Sequence, residues 1–352
     1  MTSPIYSWFY EDPFHSAFLA TTTSLSVASN SLLLYIIATT TSASIGPYRW
    51  LLAVFAICDI MTSAGHAAFQ PNMHMTTSGF YFFPRHGEMM IGGRSFDTIF
   101  ALVFIATYYQ TFLVLAYHYV YRYKIVTSGI TRSFTDYWSR TQWTSLAIVI
   151  YVLYIAGFVG TCAIAFTPAN ETRALVPQEI SDIYGIDLRD PNRGFTVIAV
   201  RDPVTGDMIW HVPSVVGLLL LLGMFGGTAM VIMYCIWKTN GIIQSSDNHL
   251  TVKTRKMQMD LFKALLIQTA IPVLFSYAPL ATVLVFPAIT GISLGAFGNV
   301  LFSTTSIFPS IDAFFVLFFI TRFRIAVIRL FHLPFTVHTG SSVERPTDSR
   351  TR

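Results

Sequence analysis

Five ionisable residues interrupt otherwise apolar runs of this chain: Asp59, Asp97, Asp312, His66 and His118. A charge at membrane depth costs a few kcal/mol unless it faces protein or water, so each position needs a reason. Asp59 and Asp312 fit an interior polar network that a conformational switch rearranges. They fit equally a set of contacts that only hold helices together. Asp97 stands at the start of its apolar run, where it either meets a ligand or marks an interface. His66 reads as a satisfied core group.

Enzyme chemistry is not written here. The chain has no H-E-x-x-H, G-x-S-x-G, phosphate-binding loop or G-x-G-x-x-G. Its nine histidines are scattered rather than set at metal-ligand spacing. Neither catalysis nor a cofactor is expected. Cys58, Cys162 and Cys235 all lie in apolar runs, which makes them small core residues rather than a disulfide framework or a metal site.

Two further patterns point to movement. Pro272 and Pro279 interrupt one apolar run and Pro309 another, each removing a backbone donor and kinking or weakening a helix. Kinked helices serve as hinges in switching proteins and also occur in static bundles. The segment Tyr121-Arg122-Tyr123-Lys124 closes a third run, where an arginine among tyrosines is either an interfacial anchor or part of a switch.

These residues must be positioned by membrane-spanning helices. Of 352 residues, 53% are hydrophobic and only 11% charged, under half the charged share of soluble domains. Mean hydropathy is +0.56. Seven stretches exceed the length of a bilayer-spanning helix: about 15–40, 48–69, 96–121, 144–167, 213–237, 261–287 and 292–320. Within lipid a helix pairs its own backbone groups, so an all-α seven-helix bundle over 15–331 follows. The basic residues lie in short connections rather than in one patch, which argues against nucleic acid as a partner.

Orientation follows from the loops. With the N-terminus outside, sixteen Lys and Arg face the cytoplasm and six face out, four of those six in the long 168–210 loop. The N-terminal segment 1–14 is then extracellular and the Ser-, Thr- and Arg-rich tail 332–352 cytoplasmic and disordered. Asn170-Glu171-Thr172 in the long loop is an acceptor sequence for glycosylation on the side assigned outside.

Several stretches, read in order, resemble the nematode Str-type chemoreceptors, a seven-helix G-protein-coupled family that includes odorant receptors. They are PYRWLLAVFAICDI in the second span, HYVYRY closing the third, ISDIYGID in the long loop and YCIWKT ending the fifth. QMDLFKALLIQTAIPVLFSYAP enters the sixth and PSIDAFFVLFFITRFRIAV leaves the seventh. The resemblance implies a plasma-membrane receptor, located at a sensory cilium, that binds a volatile or water-soluble chemical in the outer half of the bundle. Asp97, Tyr108, Tyr109, Gln110 and Gln268 are the polar ligand contacts available there. It also implies a heterotrimeric G protein as inner partner, met by Arg122 and the basic loop Lys253, Arg255 and Lys256.

By the same resemblance Tyr121-Arg122-Tyr123 matches the family's YRY, with Tyr121 where rhodopsin-like receptors carry an acid, so no local acid–arginine lock forms. Pro309 and Asp312 match the family's P-x-L-D-P, but Ala313 replaces its second proline. A ligand-gated channel like the insect odorant receptors is the alternative of another class, and its inside N-terminus conflicts with the basic-residue count. A transporter lacks the expected inverted pair of Gly- or Pro-broken spans.

Overall fold

The computed structural model describes residue 8 and residues 11–40, 47–76, 79–85, 90–91, 94–127, 138–197, 200–201, 208–209, 212–245 and 252–331. The tail 332–352 and most of segment 1–14 lie outside these residues. Among the described residues seven helices are long and apolar enough to cross a membrane: Phe14–Thr39, Tyr48–Phe69, Asp97–Thr127, Arg140–Ala165, Val212–Gln244, Gln258–Val283 and Phe297–Phe319. The third and fifth run six and seven residues past the apolar runs that define them in the sequence, because a helix continues into water once propagation is under way. The seventh starts five residues later than expected. Its approach is a turn in which Gly291 and Gly295 take left-handed backbone angles of φ +67° and +51°.

Many Ser and Thr residues dilute the first span, yet it remains a continuous helix. Thr21, Thr22 and Thr39 donate their hydroxyl protons to carbonyls four residues back, so their polar groups are satisfied within the helix. The sixth span is interrupted where the prolines predict. An α-helix from Val252 to Pro272 passes into a π-helical turn, Val273–Tyr277, and resumes over Ala278–Thr290. Pro279 has no amide proton for the carbonyl of Phe275, and the hydroxyl of Thr304 on the seventh span donates to that oxygen at 2.9 Å instead. The seventh span also changes pitch, with a 3-10 turn at Thr304–Ser306 just before Pro309. After Ile320 the chain bends into a short amphipathic helix, Thr321–Leu330, with Phe323 buried.

One end of the bundle carries a lid that the sequence reading left as connecting loops. Strands β1 (Pro71–Thr76) and β2 (Gly79–Pro84) form an antiparallel hairpin, and β5 (Thr196–Val197) from the long loop pairs with β2. The intervening β3 (Met90–Ile91) and β4 (Arg94–Ser95) pair with each other, as do β6 (Val200–Arg201) and β7 (Met208–Ile209).

Side chains alternate across a strand, and here both faces of the hairpin are covered. Met73, Met75 and Phe82 pack on Phe69, Phe104 and Phe302 of the bundle. Tyr81 and Phe83 pack outward on Val176, Ile180, Ile186 and Phe195 of the long loop. That loop contributes two short helices, Asn170–Ala174 and Gln178–Tyr184.

The lid is bonded to the seventh span. The Met73 amide donates to Asn299 Oδ1 at 2.7 Å, and the Met75 amide to the Gly295 carbonyl at 2.9 Å. Gly298 permits this approach, since a Cβ there would stand 2.6 Å from the Met73 carbonyl oxygen.

Candidate ligand cavity and arginine switch

Below the lid lies a cavity of about 270 Å³. Its walls come from every element around it: Phe104, Tyr108 and Tyr109 of the third span, Phe158 and Cys162 of the fourth, Leu218, Leu221, Leu222 and Phe225 of the fifth. Tyr277, Leu280 and Ala281 of the sixth, Phe302 of the seventh, and Met73, Phe80, Phe82 and Thr196 of the lid add to it, with Ile105 and Phe166. The aromatic walls interlock. Tyr109 lies 4.1 Å from Phe158 between ring centres and 5.4 Å from Phe225, and Phe104 stacks near Tyr108 and Phe302.

Among the described residues no charged side chain lines this space. The polar atoms on its wall are the phenols of Tyr108, Tyr109 and Tyr277, the Thr196 hydroxyl and the Cys162 thiol, and the Tyr108 hydroxyl is already engaged by Ser276. An apolar, aromatic chamber with a few hydroxyls is the usual form of a small-molecule site.

The five residues expected to meet a ligand separate into two groups. Tyr108 and Tyr109 line the cavity; Asp97, Gln110 and Gln268 do not. Asp97 sits buried at the first turn of its helix, and its Oδ2 accepts the Gly194 amide proton at 3.2 Å, so it holds the long loop down. A Cβ at Gly194 would stand 2.4 Å from that of Asp97, which fixes a glycine there. Gln110 accepts the Tyr151 hydroxyl proton at 2.6 Å, joining the third and fourth spans. Gln268 donates to Asp312 Oδ2 at 2.8 Å.

The sequence reading missed Phe158, Phe225, Tyr277, Phe302 and the lid residues. One signal was available: Tyr154, Phe158 and Cys162 recur every fourth residue along the fourth span, which places them on one face.

Deeper in the bundle the expected polar network takes a definite form. Asp59 and Asp312 are both fully buried. The Asp59 carboxylate has no hydrogen-bond partner among the described residues, whereas Asp312 is held by Gln268. Asn30 of the first span donates to the Pro309 carbonyl at 2.9 Å, so the seventh-span proline is gripped one turn from Asp312. First, sixth and seventh spans thus meet around polar groups that lipid could not satisfy. His66 packs among Phe104, Tyr108 and Phe302, with Thr305 within 3.3 Å of its Nε2.

At the end opposite the lid, Arg122 is buried rather than exposed at an interface. Its guanidinium lies 3.8 Å over the ring of Tyr48, and Nη1 donates to Gln258 Oε1 at 3.3 Å. Tyr48 in turn stacks on Tyr121 and bonds His118 Nδ1 at 2.9 Å. Tyr123 faces Tyr234 of the fifth span. Among the described residues no carboxylate pairs with Arg122. Arg255 donates to the Ser245 carbonyl across the gap between the fifth and sixth spans, and Lys256 is exposed. The Lys253 side chain lies outside the described residues. Asn170 is exposed at the start of its short helix.

Seven apolar helices, a chamber near one end and a buried arginine at the other define a multi-pass membrane protein built as a seven-helix bundle. The chain belongs to the Str family of serpentine seven-helix chemoreceptors: the family model described as serpentine type 7TM GPCR chemoreceptor Str matches residues 15–328.

Among its relatives, the G-protein coupled receptor str-33 of Caenorhabditis elegans is 22% identical over 90% of this chain and 89% of the relative. Serpentine receptor class r-10 of the same nematode is 23% identical over 81% of each. In fold the chain is similar to squid rhodopsin, with a TM-score of 0.60 at 10% identity, covering 93% of this chain and 86% of that one. This is a family of receptors, not of enzymes.

Proposed function

We propose that this protein is a chemosensory receptor of the plasma membrane that binds a small uncharged molecule in the chamber beneath the lid and activates a heterotrimeric G protein at its arginine end. The observation that carries the reading is the chamber itself. Its walls hold aromatic rings, aliphatic chains and a few hydroxyls but no charge, so a charged ligand would be desolvated without a counter-ion. Its volume suits a molecule on the order of ten heavy atoms, given that a 150 Å³ apolar cavity accepts benzene.

A ligand that fits one arrangement of the walls better than another shifts the bundle toward it. The wall includes the π-turn residue Tyr277, so ligand contact reaches the one place where the sixth helix is already broken. Movement there swings Val252–Pro272, which carries Gln258 against Arg122 and the basic residues Arg255 and Lys256. Arg122, released from Gln258, is then the group offered to the G protein.

The test is a reporter cell expressing the full chain and a panel of volatile and water-soluble compounds. Uncharged aromatic and aliphatic compounds should activate it. Phe158→Trp, which fills the chamber, should raise the half-maximal dose by about tenfold, a loss of roughly 1.4 kcal/mol. Arg122→Ala should abolish the response at unchanged surface display. Activation chiefly by charged compounds, indifferent to Phe158→Trp, would overturn the reading.

A further inference from the structure

We propose that ligands enter the chamber sideways, from the hydrocarbon of the bilayer, through a gap between the fifth and sixth helices bordered by Leu222 and Ala281. The receptor would then take lipophilic, uncharged molecules already dissolved in the membrane. The proposal rests on the chamber being the ligand site and adds how that site is reached.

Exposure of the wall residues carries the argument. Leu222, at 45% exposure, and Ala281 are the wall residues that are exposed, the others being buried or half-buried. One belongs to the fifth helix and the other to the sixth, and both lie within the apolar length of their spans. A residue that lines the chamber and is itself exposed marks where the wall is thinnest, which places the proposed gap at this pair.

The helices leave room for this. The fifth packs on the third and fourth, and scarcely on the sixth. The π-turn at Val273–Tyr277 lies directly before the stretch that bears Ala281.

Among the described residues the lid covers most of the side that faces water. Of the lid residues that roof the chamber, Met73, Phe82 and Thr196 are buried and Phe80 is half-buried. The roof is bonded along β1 to the seventh span and covered on its far face by the long loop. Opening it would break backbone hydrogen bonds and expose two apolar layers to water, whereas the gap between Leu222 and Ala281 needs only side-chain movement. A lipophilic molecule is also concentrated in the bilayer relative to water, so the sideways route meets the higher local supply.

The test uses the full chain in phosphatidylcholine vesicles and three photoactivated diazirines: one fixed midway along a phospholipid acyl chain, one on octanol, and one on a quaternary ammonium confined to water. Adducts are located by peptide mass spectrometry. The lipid-fixed probe should mark the chamber residues Tyr109 and Phe158, and the ammonium probe should leave both unmodified. Leu222→Trp should cut the lipid-fixed labelling by about tenfold, and Ala281→Phe on the opposite border should do the same should the first variant fold poorly.

Labelling of Tyr109 and Phe158 by the ammonium probe, with the lipid-fixed probe confined to the outward-facing Leu219 and Leu220, would overturn the sideways route and leave the chamber standing. Failure of the octanol probe to mark either residue would instead remove the chamber as a ligand site, and this inference with it.

Discussion

In the proposed mechanism the arginine end turns on Arg122, which no carboxylate pairs among the described residues. Without an acid beside it, the guanidinium is held by the face of Tyr48 and by the Gln258 amide oxygen. A desolvated cation–π contact is worth about 2 kcal/mol, enough to shift a two-state equilibrium more than tenfold. Tyr48→Leu removes the ring while keeping an apolar side chain, and should raise ligand-free signalling several-fold in the reporter cell. Gln258→Ala should act in the same direction and by less. Basal signalling equal to the parent in both variants would reduce the contact to packing. The arginine was legible in the sequence because it breaks an apolar run between two tyrosines. Its partner was not, since Tyr48 opens a different helix and nothing local joins them. Gln268 and Asp312 were each visible as polar interruptions, but only the fold makes them one hydrogen bond.

Among the elements, the hairpin lid was hidden from the sequence. Both of its faces are buried, so its strands lack the alternation of apolar and polar residues that marks a half-exposed hairpin. The spans announced themselves because lipid demands unbroken apolar length; the lid answers only to tertiary packing. It also carries a titratable weak point. His74 is fully buried on β1, with Tyr184 Oη 3.4 Å from Nδ1, Glu179 4.0 Å from Nε2 and Tyr81 opposite it on β2. Burial lowers its imidazole to about 4, and the exposed Glu179 opposes this only weakly.

The unfolded segment would protonate His74 at about 6.5, so between about 6.5 and about 4 the folded lid binds fewer protons than the unfolded one. Lid stability is therefore complete above pH ~6.5 and falls with acidification by up to about 1.4 kcal/mol per pH unit. Amide hydrogen exchange at Met73 and Met75, corrected for intrinsic rates, should quicken between pH 7 and pH 5.5 in the parent protein. His74→Gln should remove the pH dependence. An equal acceleration in both proteins would place the sensitivity elsewhere.

For the molecule as a whole, the two ends differ in kind, and the difference predicts which way it sits. The lid end presents a short-helix loop rich in Asp and Glu. The opposite end gathers Arg122, Arg255, Lys256 and the arginines of the Thr321–Leu330 helix. That helix buries Phe323 and carries Arg322, Arg324 and Arg329, a pattern suited to lie along an anionic membrane face. Basic connections resist translocation, so the arginine end should remain in the cytoplasm, where a G protein is found, and the lid should face outward. The number of spans was legible because each needs its own apolar run, while the chamber was not, since it exists only where five spans and a lid converge. Epitope tags placed at Met1 and after Arg352 decide the orientation: the first should bind antibody on intact cells, and the second only after permeabilisation. The reverse pattern would put Arg122 outside, out of reach of any G protein, and the receptor mechanism would fail at the scale of the whole chain even with every local contact in place.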